Sequence, residues 1–493
     1  GYWATRVATN LMGIVPVVGP QLQKLVVGGA DYGHHTLTRF FALHAGVLPG
    51  LLIGFLVLHI VMFRRHGIHT PESDDRPDTT FWPDQVLKDA VACLAVLAVV
   101  LFFAVRPALS GDHTGQAPGD YLGAELGAPA DPSNEYSAAR PEWYFLFLFQ
   151  FLKLFEGWGE TGELLGAIVV PGALMGVLAL MPILGRWRLG HRFNIGFLAC
   201  LMTGVGVLTG QALYADRVAQ FAAKPASADK EDPFAKRYEA SESYLRAVES
   251  AEEEAHRAVT LARAPAGIPP SGMLTVLRND PKAQGPRLFK RYCGSCHQHD
   301  AVAEKPADIT APDLTNFGSR EWIAGLLDPE KVDSPHYFGG TKHKAGDMVG
   351  FVKDSLAGEK KENIENVVAA LSAEAKLRSQ HATDQKDQAK IEAGKKLIAE
   401  TVGCTDCHKY YGDGDVGDSM GPDLTGYASR DWLVGMISNP NAERFYGENN
   451  DRMPAFAAHA ELAENNIISP ANLDLLVDWL RGEWYEPKAP EAE

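Results

Sequence analysis

Four long apolar stretches occupy the first 217 residues: Phe40 to Phe63, Val86 to Val105, Leu164 to Leu184 and Ile195 to Tyr214. Each is near the roughly 20 residues an α-helix needs to cross a bilayer. Backbone groups inside lipid must bond to one another, so this part of the chain is expected to fold as a four-span helical bundle. Phe145 to Phe155 is too short to span and reads as a partly embedded helix. Arg64, Arg65 and Arg76 follow the first span, and Arg186, Arg188 and Arg192 lie between spans three and four. By the positive-inside rule these ends face the cytoplasm. The loop between Arg106 and Arg140 carries Asp112, Asp120, Glu125, Asp131 and Glu135, so it faces out, and so does everything after the fourth span.

That outer part holds two Cys-x-x-Cys-His motifs, Cys293-Gly-Ser-Cys296-His297 and Cys404-Thr-Asp-Cys407-His408. Two thiols one helical turn apart can add to the vinyl groups of haem, and the adjacent imidazole then meets the iron, as in c-type haem. A zinc site also uses Cys-x-x-Cys pairs. Against zinc, each pair is followed directly by histidine and sits in its own copy of a repeat. Pro312-Asp313-Leu314-Thr315 and Ser319-Arg320-Glu321-Trp322 recur as Pro422-Asp423-Leu424-Thr425 and Ser429-Arg430-Asp431-Trp432.

Each repeat opens with a helix-like approach, Gly285 to Tyr292 and Gly394 to Val402. Each closes with apolar residues at helical spacing: Ile364, Val367, Val368 and Leu371, then Leu473, Leu476, Val477 and Leu480. With helices on both sides of the motif, the repeats resemble class I cytochromes c. The resemblance implies a methionine as sixth ligand, Met348 in the first repeat and Met453, followed by Pro454, in the second. A thioether opposite imidazole raises the haem potential. Core packing is the alternative for any methionine, and His336 and His343 are nearby competitors of Met348.

His44 and His59 sit 15 residues apart within the first span. At 100° per residue they differ by about 60°, and at 1.5 Å per residue by about 22 Å. One helix thus offers an imidazole near each membrane face, for haem ligation or for hydrogen bonding within the bundle. Trp3 to Thr5, Ile14 to Gly19, Thr36 to Phe40, and His44 through His59 to Arg65 resemble the second half of cytochrome b in quinol-oxidising bc complexes. Pro141-Glu142-Trp143-Tyr144 is similar to the hallmark of that family's outer quinol site. The resemblance covers nearly all of residues 1–217. It implies two haem b groups, with His44 ligating the outer and His59 the inner. The second histidine of each comes from a missing N-terminal half or a separate subunit. The start at Gly1, without methionine or signal peptide, also points to a missing N-terminal half.

The resemblance further implies that Glu142 accepts a proton from quinol and Tyr144 positions its ring. An interfacial Trp-Tyr belt with Glu142 capping the short helix is the plainer reading. Lys88 and Asp89, at the inner start of the second span, are candidates for an inner quinone site or for snorkelling interface residues. Arg39 is a candidate partner for a haem propionate or a plain surface arginine. Cys93 and Cys200 read as packing residues. Of the formal net charge of −16, residues 1–217 account for −3. The acidic outer part argues against nucleic acid, and either steers a basic redox partner or simply solvates the surface.

The expected architecture is mostly α. Residues 1–217 form the C-terminal part of cytochrome b and 218–280 a charged helical linker, with a helix from Glu239 to Arg263. Residues 281–378 and 379–493 form two cytochrome c domains, joined through the polar stretch Lys376 to Lys390. The resemblance implies a quinol:cytochrome c oxidoreductase subunit with two covalent haem c groups, in a homodimeric complex. Its partners would be a Rieske-type iron–sulfur protein and a downstream cytochrome c or terminal oxidase. Its place would be the bacterial inner membrane, multi-pass, with the c domains on the periplasmic side. A membrane-anchored dihaem carrier without a quinol site is the alternative, and a transporter using intramembrane histidines leaves the c motifs unexplained.

Overall fold

The computed structural model describes residues 1–29, 31–67, 80–110, 127–133, 139–225, 232–302, 310–414, 421–459 and 463–487. Arg76, Asp112, Asp120, Glu125 and Glu135, used above for orientation, lie outside the described residues. Among the described residues the fold is helical, and strand pairing is limited to one bridge between Tyr410 and Asp413. The chain divides into two compact units, Gly1–Glu253 and Glu254–Glu493.

The first unit begins with α1 (Tyr2–Gly13) and α2 (Gly19–Val27), which pack together. Next, α3 (His34–Ala42) runs through a π-helical turn, Leu43–Val47, into α4 (Leu48–His66). These are followed by α5 (Val86–Ser110), α6 (Leu146–Lys153), α7 (Gly159–Leu164), α8 (Val170–Leu184) and α9 (Arg188–Phe221). Among the described residues four helices are long and apolar enough to cross a membrane: His34–His66, Phe81–Phe102, Gly159–Leu184 and Arg188–Phe221. They contain three of the four predicted spans whole, and the second, Val86 to Val105, as far as Phe102. Apolar residues cover α4 on all sides, with Leu52, Ile53 and Phe55 exposed, which suits a helix whose solvent is lipid.

The expected short embedded helix is α6, which lies along α9. Arg140 fixes the approach to it, reaching Asp216 of α9 at 3.3 Å while its guanidinium covers the Phe149 ring at 4.7 Å. The turn from α8 to α9 is tight. A Cβ on Gly190 would stand 1.9 Å from the Leu184 carbonyl oxygen, so only glycine fits there.

The charged helix expected from Glu239 to Arg263 is the greater part of α10 (Pro233–Ala262), within which the two units divide. In the second unit Arg257 makes a buried two-pronged ion pair with Asp280, at 2.7 and 2.9 Å. Asp280 also caps the next long helix through the Ala283 amide, so one carboxylate both neutralises a buried cation and ends an unsatisfied turn. The helices here are α11 (Met273–Arg278), α12 (Pro281–Tyr292), α13 (Arg320–Leu326), α14 (Asp347–Asp354), α15 (Lys361–Glu374), α16 (His381–Lys386), α17 (Gln388–Lys396), α18 (Arg430–Ser438) and α19 (Pro470–Leu480).

The repeated sequence builds a repeated local structure. Asp313 and Asp423 each accept from the amide two residues on, Thr315 and Thr425, both at 2.8 Å. Ser319 and Ser429 cap α13 and α18 by accepting from the Trp322 and Trp432 amides. The indoles of those tryptophans return to the Asp313 and Asp423 carbonyls at 3.0 and 2.8 Å. The motif residues are therefore turn, cap and anchor.

The two repeats do not close on themselves. The approach helix of the first, α12, packs against α19, the closing helix of the second, and α17 of the second packs against α15 of the first. Small residues permit both crossings. A Cβ on Gly285 would fall 2.0 Å from the Trp479 ring, and one on Gly394 would fall 1.9 Å from the Asn366 carbonyl oxygen. All four helices contribute to one compact unit, and one buried cluster holds residues of both repeats, from Phe289 to Trp479. The polar stretch from Lys376 to Lys390 forms α16 and the start of α17, held by Arg320 bonding to Asp384 and Asp387.

Candidate functional site

The strongest site chemistry lies just after α12 and after the π turn Leu397–Thr401 that extends α17. The His297 amide donates to the Cys293 carbonyl at 2.9 Å, and the His408 amide to the Cys404 carbonyl at 3.0 Å. Each thiol pair and its histidine thus wrap a single helical turn. The His297 ring donates through Nδ1 to the Pro312 carbonyl, and the His408 ring to the Pro422 carbonyl, both at 2.7 Å. A carbonyl only accepts, so Nδ1 holds the proton and Nε2 keeps its free electron pair. Burial holds both imidazoles below the usual histidine range, in the neutral form that ligates metal. Pro312 and Pro422 orient the ligands, a role not read from the sequence although their repetition marked them.

None of the six cysteines is paired in a disulfide. Burial pushes Cys293 up to about 12 and Cys404 up to about 11, and burial together with the nearby Asp347 carboxylate raises Cys407. Among the described residues no three His, Cys, Asp or Glu side chains stand together as a metal-ion site. The donor set of two thiols, one oriented imidazole and a thioether suits covalent haem. Met348 and Met453 are half-buried against the core, and the Met453 carbonyl accepts from Asn450 at 2.8 Å. The two competing histidines are otherwise engaged: His336 faces Asp313 at 3.4 Å, and His343 stacks on Tyr446 at 6.3 Å between ring centres.

In the membrane unit, His44 lies in the π turn and His59 in α4, both exposed. A π turn absorbs about one residue, so the two imidazoles differ by about 40° in the opposite sense to a regular helix and still share a face. Glu142 and Tyr144 are exposed at the start of α6. Glu142 holds the cap position of the turn Trp143–Phe145 but its side chain makes no cap hydrogen bond. Tyr144 meets the Trp143 ring edge-on at 5.6 Å. Lys88 and Asp89 are exposed at the start of α5, where Asp89 accepts from Gln85 at 2.8 Å. Arg39 is bonded to the Leu25 carbonyl. Cys93 and Cys200 are exposed on their spans rather than packed within the unit.

Two family models match the chain. Residues 1–112 match that of cytochrome b(N-terminal)/b6/petB, and residues 129–212 that of cytochrome b(C-terminal)/b6/petD. The first match includes His44 and His59, and the second includes Pro141 to Tyr144. This corrects the expectation that residues 1–217 are C-terminal cytochrome b with the N-terminal half missing: N-terminal sequence is present and carries the histidine pair.

Proposed function

Residues 1–112 and 129–212 being of cytochrome b type, which implies haem b and a place in electron transfer of bc or b6f kind, we propose that the chain is the cytochrome b and dihaem cytochrome c subunit of a quinol:cytochrome c oxidoreductase. It oxidises quinol at the outer membrane face and passes electrons through b and c haems, with proton translocation. The observation that carries this reading is the joining, in one chain, of the His44–His59 pair with two Cys-x-x-Cys-His turns whose imidazoles are oriented identically by proline carbonyls. An electron carrier that needed the helices only as an anchor would need neither that pair nor Pro141-Glu142-Trp143-Tyr144.

When bound, the haems supply one-electron carriers, four in all. Cys293, Cys296, Cys404 and Cys407 would hold two of them covalently, and His297, His408, Met348 and Met453 would supply their iron ligands. His44 and His59 each offer one imidazole to a haem b. Of the other three spans only α9 carries a histidine, His191 in its first turns, so the second imidazoles come from a partner cytochrome b subunit. Glu142 takes a proton from the quinol hydroxyl and Tyr144 holds the ring. Lys88 and Asp89 would hand protons to an inner quinone, and Arg39 would pair with a haem propionate. A Rieske-type iron–sulfur protein takes the other electron. A soluble cytochrome c or a terminal oxidase takes the output, in a homodimeric complex of the bacterial inner membrane with residues 254–493 outside.

The test is a reduced-minus-oxidised spectrum of the purified complex with extracted haem counted. About equal amounts of b and c haem are expected. Haem c alone would reduce the function to anchored electron carriage, and haem b alone would remove the c sites. In the same preparation Glu142→Gln should slow quinol oxidation about 100-fold, the usual scale for losing a proton acceptor, with c-haem content intact. Unchanged turnover would remove its proton role.

A further inference from the structure

The exchange of helices extends to the methionines. Three residues after Met453 comes Phe456, whose ring meets that of Tyr292 at 6.4 Å between centres, and Tyr292 immediately precedes Cys293 of the first repeat. Three residues after Met348 comes Phe351, which lies 3.8 Å from where a Cβ on Gly403 would stand, and Gly403 immediately precedes Cys404 of the second repeat. The two contacts are the same contact made twice, each between repeats. Glu374, at the end of α15 in the first repeat, accepts from Tyr410 and Tyr411, just after His408 of the second, at 3.1 and 2.9 Å.

The crossing point is visible. In the turns between the Thr of each repeat and its capping Ser, Phe317 meets Tyr427 at 5.7 Å, and a Cβ on Gly318 would lie 2.6 Å from the Ala428 Cβ. Residues 317 and 427, like 318 and 428, hold equivalent places in the repeat. Contact between equivalents is what a two-fold axis produces, here inside one chain. Both turns reach the left-handed region, Asn316 at φ 56° and Gly318 at φ 78°, Gly426 at φ 66° and Ala428 at φ 56°. Before the turns each repeat stays with itself, since Pro312 orients His297 and Pro422 orients His408. After them the segments around His336 and Arg444 still return to Asp313 and Asp423 of their own repeats, and the exchange comes farther on, at the methionine segments and the closing helices.

We propose that the two c-haem sites are crossed: His297 pairs with Met453 across the first iron and His408 with Met348 across the second, so that each site is assembled from both repeats. The assignment rests on the reading of the motifs as haem sites, and departs from it in joining each histidine to the other repeat's methionine.

The test uses the full-length chain in its complex with one attachment site removed at a time. With Cys404→Ala and Cys407→Ala, only the first haem remains. Met453→His should then abolish the long-wavelength absorption band of thioether-ligated ferric haem and lower the midpoint potential, while Met348→His leaves both unchanged. With Cys293→Ala and Cys296→Ala the two methionines should exchange roles. The opposite pattern, each methionine acting on its own repeat's haem, overturns the crossing and leaves the dihaem reading standing. Absence of covalent haem from the unsubstituted chain overturns that reading instead. Should the single-site chains fail to accumulate, carbodiimide coupling of the intact protein decides the helix exchange. Lys282 Nζ lies 2.6 Å from Glu486 Oε1, so peptides from the two repeats should be joined there. Their absence from the digest overturns the exchange.

Discussion

At the residue scale, much depends on single polar atoms placed where they cannot be replaced. His297 is useful as a ligand only because Pro312 offers a carbonyl 2.7 Å from its other nitrogen, fixing both the proton and the ring plane. Glu486 is a second case. Lys282 and the Trp484 indole, at 2.6 and 2.7 Å, hold its carboxyl below the usual carboxylate range. A depressed folded-state value means the clasp stabilises the fold above the unfolded value and fades as pH falls through the lowered one. Acidification below about pH 4.5 should therefore loosen the contact between the start of α12 and the chain following α19. Amide exchange at the first turn of α12, compared with Glu486→Gln, measures this: the variant should be insensitive to pH over that window.

At the element scale, helix pairing in the outer unit turns on the absence of a side chain. Gly394→Ala puts a methyl group into the Asn366 carbonyl and the Ala370 side chain, and α17 must retreat from α15. Overpacking of this kind costs about 1–3 kcal/mol, to be read from thermal or denaturant unfolding of the protein followed by its helix signal. Both helices were legible in the sequence, through the apolar spacing of Ile364 to Leu371 and the small residues of the approach. Their partners were not. The closing helices of the two repeats present similar apolar faces, so either suits either glycine, and periodicity cannot tell the near copy from the far one. The π turn at His44 was hidden for a related reason, since hydrogen-bond slippage by one residue leaves composition untouched. The four spans, by contrast, were read close to their structural bounds, because lipid tests only length and apolarity.

At the scale of the whole molecule, the outer unit behaves as one body built from two copies. Buried residues from Phe289 to Trp479 form one continuous core. Neither repeat retains its approach helix and closing helix as a pair, so neither can keep its packing while the other opens. Heat or denaturant should remove both halves in a single transition, checked by the coincidence of spectral change near each tryptophan-anchored turn with loss of helix signal. Two separated transitions would mean the halves hold themselves independently. The cytochrome b region was recognised from the histidine pair and Pro141 to Tyr144, but its division between N-terminal and C-terminal parts was misplaced, because those landmarks straddle the boundary.

Helix exchange also imposes a schedule. Synthesis runs from α12 to α19, so α12 emerges long before the element it packs against exists. α17 is different: α15 has already emerged and waits for it. Contacts so distant along the chain are slow to form, and the Cys293–Cys296 turn stays uncovered until the last helix arrives. If those two thiols take up a bulky porphyrin, as proposed, the delay is an open door at the earlier site, and the final helix is what shuts it.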